Sequence, residues 1–418
     1  MKRLAHLTLS AETKDLAGGI DRVILPLRQT DAVCLELAVS RDQTVERGQV
    51  IAESKQAGQP SLHSPLSGQV YSVFSTVAPD GETVPAVEIR GEASGRSKTL
   101  EPMRDAVGSL SAEALTGRLL EAGVCPLGGN GANAAYAALA PSEPPPGILL
   151  VLCTDEEPLL QTQTQVVQEM PEKVIEGATL YQKACGAGRL VFAVTAGLRS
   201  LVSGETLLVA ERYPSALPEI LMGRATGSYA LKQGRPRADV HLINAETAVA
   251  VRQAVREGVP VLDKLVTVGL DGGQPALLRA PLGTPFSSLL KQAGITVGGG
   301  DRIFCGGPMR GRAQFNPDGP VTKGTDGIFV QKGAKVFLYD DMACIGCGAC
   351  VKICPMKIQV NMMTRNCEYG RVDEAVRYDL ESCVECGLCA YVCTARRPLL
   401  QYILFAKNEK RKAERTQA

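Results

Sequence analysis

Cysteines spaced to hold metal stand out first. Cys344, Cys347, Cys350 and Cys354 follow the spacing C-x2-C-x2-C-x3-C, with Pro355 directly after, and Cys383, Cys386, Cys389 and Cys393 repeat it. This spacing builds paired 4Fe–4S clusters. Three close thiolates take irons of one cluster, and the fourth, one helical turn on, reaches the other. The expected ligand sets are therefore crossed. Cys344, Cys347, Cys350 and Cys393 hold one cluster; Cys383, Cys386, Cys389 and Cys354 hold the other. A structural zinc site would need pairs of C-x2-C rather than quartets with the x3 arm.

The segment that must position these thiolates runs from about residue 330 to 405. The 28 residues between Cys354 and Cys383 are too many for the short turn of a small bacterial ferredoxin. Residues 362–365 and 373–379 read as helix, which makes this an α-helical dicluster ferredoxin domain. Thr394 stands where a proline would follow the second run, and Pro398 comes a few residues later. Residues 399–415 are helical with a basic end (Lys407, Lys410, Arg411, Lys412, Arg415), expected to be a solvated face, with an acidic docking partner as the sharper alternative.

Everything upstream has to account for the electrons. A chain of 418 residues is too long for one core and implies several domains. Its 45% hydrophobic and 21% charged content is that of an ordinary soluble protein, and a net charge of +1 gives no bulk attraction to nucleic acid or a membrane surface. Eight of the 14 cysteines lie in the two runs and must stay reduced to load iron, so a cytoplasmic setting is expected. The start carries Lys2 and Arg3 but no sustained apolar stretch, so no signal peptide is expected. No run approaches the roughly 18 apolar residues of a spanning helix.

Residues 1–100 read as all-β, with short apolar runs at 23–27, 35–39, 50–52, 69–74 and 86–89 between Gly, Pro, Asp and Ser. The turns around Gly48 and from His63 to Gly68 resemble those of a biotinyl- or lipoyl-type barrel-sandwich hybrid, without an evident carrier lysine. His63 is expected to be structural. A helix at 111–122 leads to the glycine-rich stretch Gly128, Gly129, Gly131, whose free N–H groups could cradle a phosphate. A helix rather than a strand precedes it, which departs from the dinucleotide fingerprint. Residues 148–153 read as a buried strand ending in Asp155, Glu156 and Glu157. These could serve a ligand at the C-terminal end of a sheet, or simply start a helix at 158–169. Strands at 190–195 and 207–210, then 217–222, continue an α/β layer. From 240 a smaller α+β unit follows, with helices at 248–256 and 289–293, strands at 265–268 and 301–304, and a glycine turn at 306–311. Cys125, beside the glycine-rich loop, is the one remaining cysteine worth testing for reactivity, and Cys153 reads as core.

Together these residues resemble the RnfC family, the soluble subunit of the Rnf membrane complex, related to the flavin subunit of respiratory complex I. The resemblance is carried by Leu25-Pro-Leu-Arg28-Gln29, His63-Ser-Pro-Leu-Ser-Gly68, Arg212-Tyr213-Pro214, Asn244-Ala-Glu-Thr247, Gly306-Gly-Pro-Met309, Lys323-Gly-Thr-Asp-Gly327 and both cysteine runs. It implies a multidomain α/β and α+β chain: a barrel-sandwich hybrid (1–100), a Rossmann-like FMN and NADH domain (108–238), an SLBB β-grasp domain (239–315), a dicluster ferredoxin domain (330–405) and a basic tail (406–418). Two 4Fe–4S clusters, FMN through Gly128, Gly129, Gly131 and Glu157, and NADH as electron source are what it implies as cofactors. The family's flavin loop continues with Phe-Pro-Thr and a lysine; Asn133, Ala134 and Ala135 stand here, and Leu159 replaces an aromatic residue after Glu157-Pro158. That removes stacking and phosphate charge, so FMN and NADH binding are weakened. The leading expectation is an electron-transfer protein passing single electrons through two clusters to or from a redox partner, either Rnf-type membrane subunits at the cytoplasmic face or a soluble reductase. The alternatives are an FMN-dependent NADH-oxidising subunit and a soluble donor to a proline-reductase- or cobalamin-reductase-type enzyme.

Overall fold

The structure is a computed structural model and describes residues 12–28, 34–55, 58–79, 81–93, 97–125, 145–227, 240–270, 272–336 and 342–417. It divides into two units: residues 1–218 with 238–334, and residues 219–237 with 335–418.

The first unit begins with two small antiparallel sheets. Strands Arg22–Pro26, Thr83–Glu92, Ser67–Val77 and Thr44–Val45 form one; Glu36–Leu37, Val50–Glu53 and Leu62–His63 form the other. Apolar side chains from both, including Leu25, Ile51, Leu62, Val70 and Ile89, are fully buried, as is Leu66 in the turn between two of the strands. Alternating strands pack in this way when one face of each sheet meets the core and the other meets water.

An all-parallel sheet follows, with spatial order Glu205–Leu208, Arg189–Val194, Ile148–Leu152, Val240–Asn244. Every residue of Ile148–Leu152 is buried, as a central strand covered on both faces requires. The helices Ala112–Glu121, Pro171–Cys185 and Ala245–Arg252 carry Leu115, Leu119, Val174, Ala178, Tyr181, Ala248 and Val251 into this core. Strand Val240–Asn244 pairs with this sheet and not with the sheet that follows it in sequence. Its helix starts at Ala245, earlier than residue 248, because the Asn244 side chain accepts from Thr247 N–H at 2.8 Å and caps it.

The third layer is a six-stranded mixed sheet ordered Thr13–Asp15, Ala276–Pro281, Asp263–Leu270, Gly327–Gln331, Arg302–Cys305, Arg312–Gln314. The helix Phe286–Gln292 buries Phe286, Leu289 and Leu290 in the core this sheet shares with the N-terminal sandwich. Thr13–Asp15 joins this sheet rather than the sandwich, pairing parallel to Ala276–Pro281.

The second unit is helical. Ala349–Ile353, Val360–Glu368, Val372–Arg377, Leu388–Tyr391 and Leu399–Gln417 surround a small core of Ile358, Val360, Met363, Cys367, Ala375, Leu380, Leu399, Ile403 and Ala406. Two helices predicted between the cysteine runs are present, each slightly displaced in length from its expected span.

Candidate metal centre

The two cysteine runs fold as repeats. In each, the third, fifth and fourteenth residues have positive φ: Gly346, Gly348 and Lys357 in the first, Glu385, Gly387 and Arg396 in the second. Each run winds around a short helix, Ala349–Ile353 or Leu388–Tyr391, that carries its third cysteine. Cys354 ends the first helix and leaves it in an extended conformation.

These helices leave two separate hollows. Cys344, Cys347, Cys350 and Cys393 line one, with Asn361, Thr364, Thr394 and Arg397. Cys354, Cys383, Cys386 and Cys389 line the other, with Met356, Val360, Leu400 and Ile403. Each hollow thus holds three cysteines of one run and the last cysteine of the other. Among the described residues no three Cys, His, Asp or Glu side chains converge closely enough to hold a single metal ion. This distinction has a physical meaning. Four thiolates around one zinc ion must nearly touch, whereas around a cube of four irons each thiolate meets its own iron and stays apart from the rest. Four cysteines around a hollow fit the second chemistry.

The environments differ. Cys344 and Cys347 are exposed, and Ile345 and Met342 beside them are 62% and 55% exposed. Cys354, Cys386 and Cys389 are buried. The Cys347 thiol accepts from the Ala349 N–H and lies 3.7 Å from Thr394 Oγ1, which holds its pKa below the ordinary value. Burial raises the Cys350, Cys383 and Cys389 thiols. Such thiols lose their protons on metal binding, so metal loading and proton release are linked here. Arg397 N–H donates to Cys393 Sγ at 3.4 Å, and its buried guanidinium pairs with Glu368.

Two residues that read in sequence as part of a solvated tail have a different role. Lys407 donates to the Cys383 carbonyl at 2.6 Å and to Glu385 Oε1 at 2.8 Å, and Lys410 pairs with Glu381. The middle of the helix is thus tied back to the second cysteine run at Lys407 and Lys410, while Arg411 and Lys412 beyond them are exposed, as a solvated face would be. The signal was present in the spacing: Lys407 follows Leu399 and Ile403 by whole turns, on the buried stripe.

The other predicted site lies in the first unit, at the C-terminal ends of the parallel strands. Gly128, Gly129 and Gly131 fall outside the described residues. Asp155 caps the helix Thr162–Glu169, accepting from Gln163 N–H at 2.9 Å and Thr164 N–H at 3.2 Å. The helix therefore begins at residue 162 rather than 158. Glu156 pairs with Arg310 at 3.5 Å. Glu157 is buried, and its Oε2 accepts from Met309 N–H at 2.8 Å and Arg310 N–H at 2.9 Å. Burial raises its pKa, against the pull of Arg310 and the backbone donors. Gly307 makes this contact attainable, since a Cβ there would lie 2.5 Å from the Glu157 side chain. Asp155, Glu156, Glu157, Thr154, Asn244 and Asp326 line a polar crevice at this point. Cys125, expected as a test of reactivity, is buried, and burial raises its thiol pKa. Burial thus disfavours the thiolate that a reactive cysteine needs, with only the charge of Lys323 pulling the other way.

Comparison with known family profiles identifies two of these domains. A family profile described as "RnfC Barrel sandwich hybrid domain" matches residues 10–94, and one described as "4Fe-4S dicluster domain" matches residues 343–396. The C subunit of the ion-translocating oxidoreductase complex of Rhodobacter capsulatus is 30% identical, covering 97% of this chain and 80% of its own. The C subunit of the proton-translocating ferredoxin:NAD(+) oxidoreductase complex of Clostridium ljungdahlii is 28% identical, covering 94% of this chain and 89% of its own. Among solved structures, an NAD+-reducing NiFe hydrogenase in the H2-reduced state is 16% identical with a TM-score of 0.41, covering 74% of this chain and 63% of that one. A chain with this dicluster domain on this scaffold is an iron–sulfur electron-transfer protein. It belongs to the RnfC family. Among the described residues no helix is long and apolar enough to cross a membrane.

Proposed function

We propose that the chain is an electron relay with two 4Fe–4S clusters, one held by Cys344, Cys347, Cys350 and Cys393 and the other by Cys354, Cys383, Cys386 and Cys389. The observation that carries this is the partition of eight cysteines into two hollows, four around each, with the last cysteine of each run crossed over. When bound, such clusters accept and give up single electrons without proton chemistry. The protein residues supply thiolates, exclude water from the inner hollow through Val360, Leu400 and Ile403, and donate N–H groups such as Arg397 N–H to sulfur. The exposed Cys344–Cys347 loop makes the first cluster the point of exchange with a redox partner. Given relatives named as the C subunits of ion-translocating oxidoreductase complexes, that partner is another member of such a membrane complex, and the chain sits peripherally at its cytoplasmic face. Anaerobically reconstituted protein is expected to hold about eight irons per chain; about four or fewer contradicts the reading.

A second reading adds a flavin and NADH. Its support is the strand order third–second–first–fourth of the parallel sheet, which matches the first four strands of the doubly wound Rossmann order and includes its reversal point. Ligands in such sheets bind where the order reverses, here between the ends of Ile148–Leu152 and Val240–Asn244, beside the crevice of Thr154 and Asn244. The six-stranded mixed sheet with its single helix is read as the SLBB β-grasp domain. Under this second reading, flavin stays with the protein through gel filtration and is bleached by NADH; protein loaded with FMN that emerges flavin-free speaks against it.

A further inference from the structure

We propose that Lys407, on the C-terminal helix, and Glu385, inside the second cysteine run, form a charge pair that sets the reduction potential of the buried cluster and not of the exposed one. This rests on the reading that Cys354, Cys383, Cys386 and Cys389 hold that cluster.

The backbone singles Glu385 out. In the repeat it stands where the first run has Gly346, and both residues are left-handed, with φ of 53° and 68°. Glycine takes that conformation freely, but a side chain at that φ crowds the following carbonyl. A glutamate there needs a compensating contact. Glu385 is 5% exposed, and its carboxylate accepts from Lys407 Nζ at 2.8 Å. The same ammonium donates to the Cys383 carbonyl at 2.6 Å. One side chain thus neutralises a buried carboxylate and pins the segment between Cys383 and Cys386, both of which line the inner hollow with Glu385 itself.

The helix holds the lysine there. Leu399, Ile403 and Ala406 are buried on the face that Lys407 shares, and Lys410, almost a turn further on, reaches Glu381 on the other side of Cys383. The first run has no counterpart, because Gly346 offers no side chain and a Cβ built there would meet open space.

An electron added to a cluster makes it more negative. A nearby cation favours the reduced form and a nearby anion opposes it, more strongly where water is excluded. Lys407 and Glu385 therefore act in opposite directions on one cluster. The test is an anaerobic titration with dithionite and mediators, followed by electron paramagnetic resonance. Each electron passes from dithionite to a cluster, and no protein bond forms or breaks. Wild-type protein is measured first: iron for only one cluster defeats the ligand reading itself, before any variant is made. With two clusters present, Lys407→Gln is expected to lower one midpoint potential and leave the other in place. Glu385→Gln is expected to raise that same potential, the double variant to return towards wild type, and Lys407→Arg to stay close to it. Unchanged potentials in both single variants at full iron, or shifts shared equally by both clusters, overturn the proposal. Where Lys407→Gln loses iron, Glu385→Gln decides: an upward shift of one potential supports the pair, and no shift overturns it.

Discussion

Replacing His63 with phenylalanine should make the first unit less sensitive to acid. His63 ends the strand Leu62–His63, is 1% exposed, and has no hydrogen-bond partner for either ring nitrogen among the described residues. It shares its pocket with the buried ammonium of Lys323, which donates to the Gly123 carbonyl at 2.6 Å. A Cβ at Gly123 would lie 3.2 Å from both His63 Nδ1 and Lys323 Nζ. Burial, and then the charge of Lys323, push the His63 pKa from 6.5 down to about 3. A base with a depressed folded pKa stays neutral in the folded chain while the unfolded chain takes up a proton. Its contribution to stability is present above pH 6.5 and is lost as pH falls towards about 3. Only part of that window suits an iron–sulfur protein. Between about pH 7.5 and about pH 5.5, protonation of the unfolded histidine alone lowers stability by about 1.4 kcal/mol. His63→Phe keeps a ring in the pocket and removes the titration. The chain has no tryptophan, so urea unfolding is followed by far-ultraviolet circular dichroism at the two pH values. The variant should lose about 1.4 kcal/mol less than wild type on acidification. Equal losses in the two proteins would refute the assignment of a neutral buried imidazole.

The same unit offers two stability tests. Gly307→Ala places a methyl group 2.5 Å from the Glu157 side chain and should cost about 1–3 kcal/mol in urea unfolding, while Glu157→Ala made in the same chain should relieve part of the clash. Lys264 is buried between Asp326, at 2.7 Å, and Glu246; burial opposes its charge, but the two carboxylates hold its pKa above the ordinary value. Lys264→Met leaves both carboxylates without their cation and should cost about 3–5 kcal/mol, read by the same unfolding assay; a loss under about 1 kcal/mol would mean that water or another cation already serves them.

Residue patterns made much of the chain legible. The cysteine spacing implies two crossed ligand sets, and the lining of the two hollows is what supports proposing them. Periodicity found the central strand Ile148–Leu152 because burial on both faces demands an unbroken apolar run. It failed where a polar side chain sets the boundary. Asp155 reaches several residues ahead to cap the helix starting at Thr162, and Asn244 starts its helix directly after its own strand. Long-range pairing was also hidden. Nothing local tells Thr13–Asp15 to join a sheet built from residues beyond 260, or Val240–Asn244 to pair with Ile148–Leu152. Glu157 reads in sequence as a candidate ligand residue, but its partners, Met309 and Arg310, lie in a turn 152 and 153 residues away. Lys407 reads as tail because a basic cluster masks the one lysine that lies on the buried stripe.

The crossing of the ligand sets can be tested by iron content alone. In a chain carrying Cys344→Ser, Cys347→Ser and Cys350→Ser, about four irons should remain, held by Cys383, Cys386, Cys389 and Cys354. Adding Cys354→Ser to that background should strip them, and adding Cys393→Ser should leave them in place. The reverse outcome, iron lost with Cys393 and kept without Cys354, would mean that each run holds its own cluster and would contradict the partition of the two hollows.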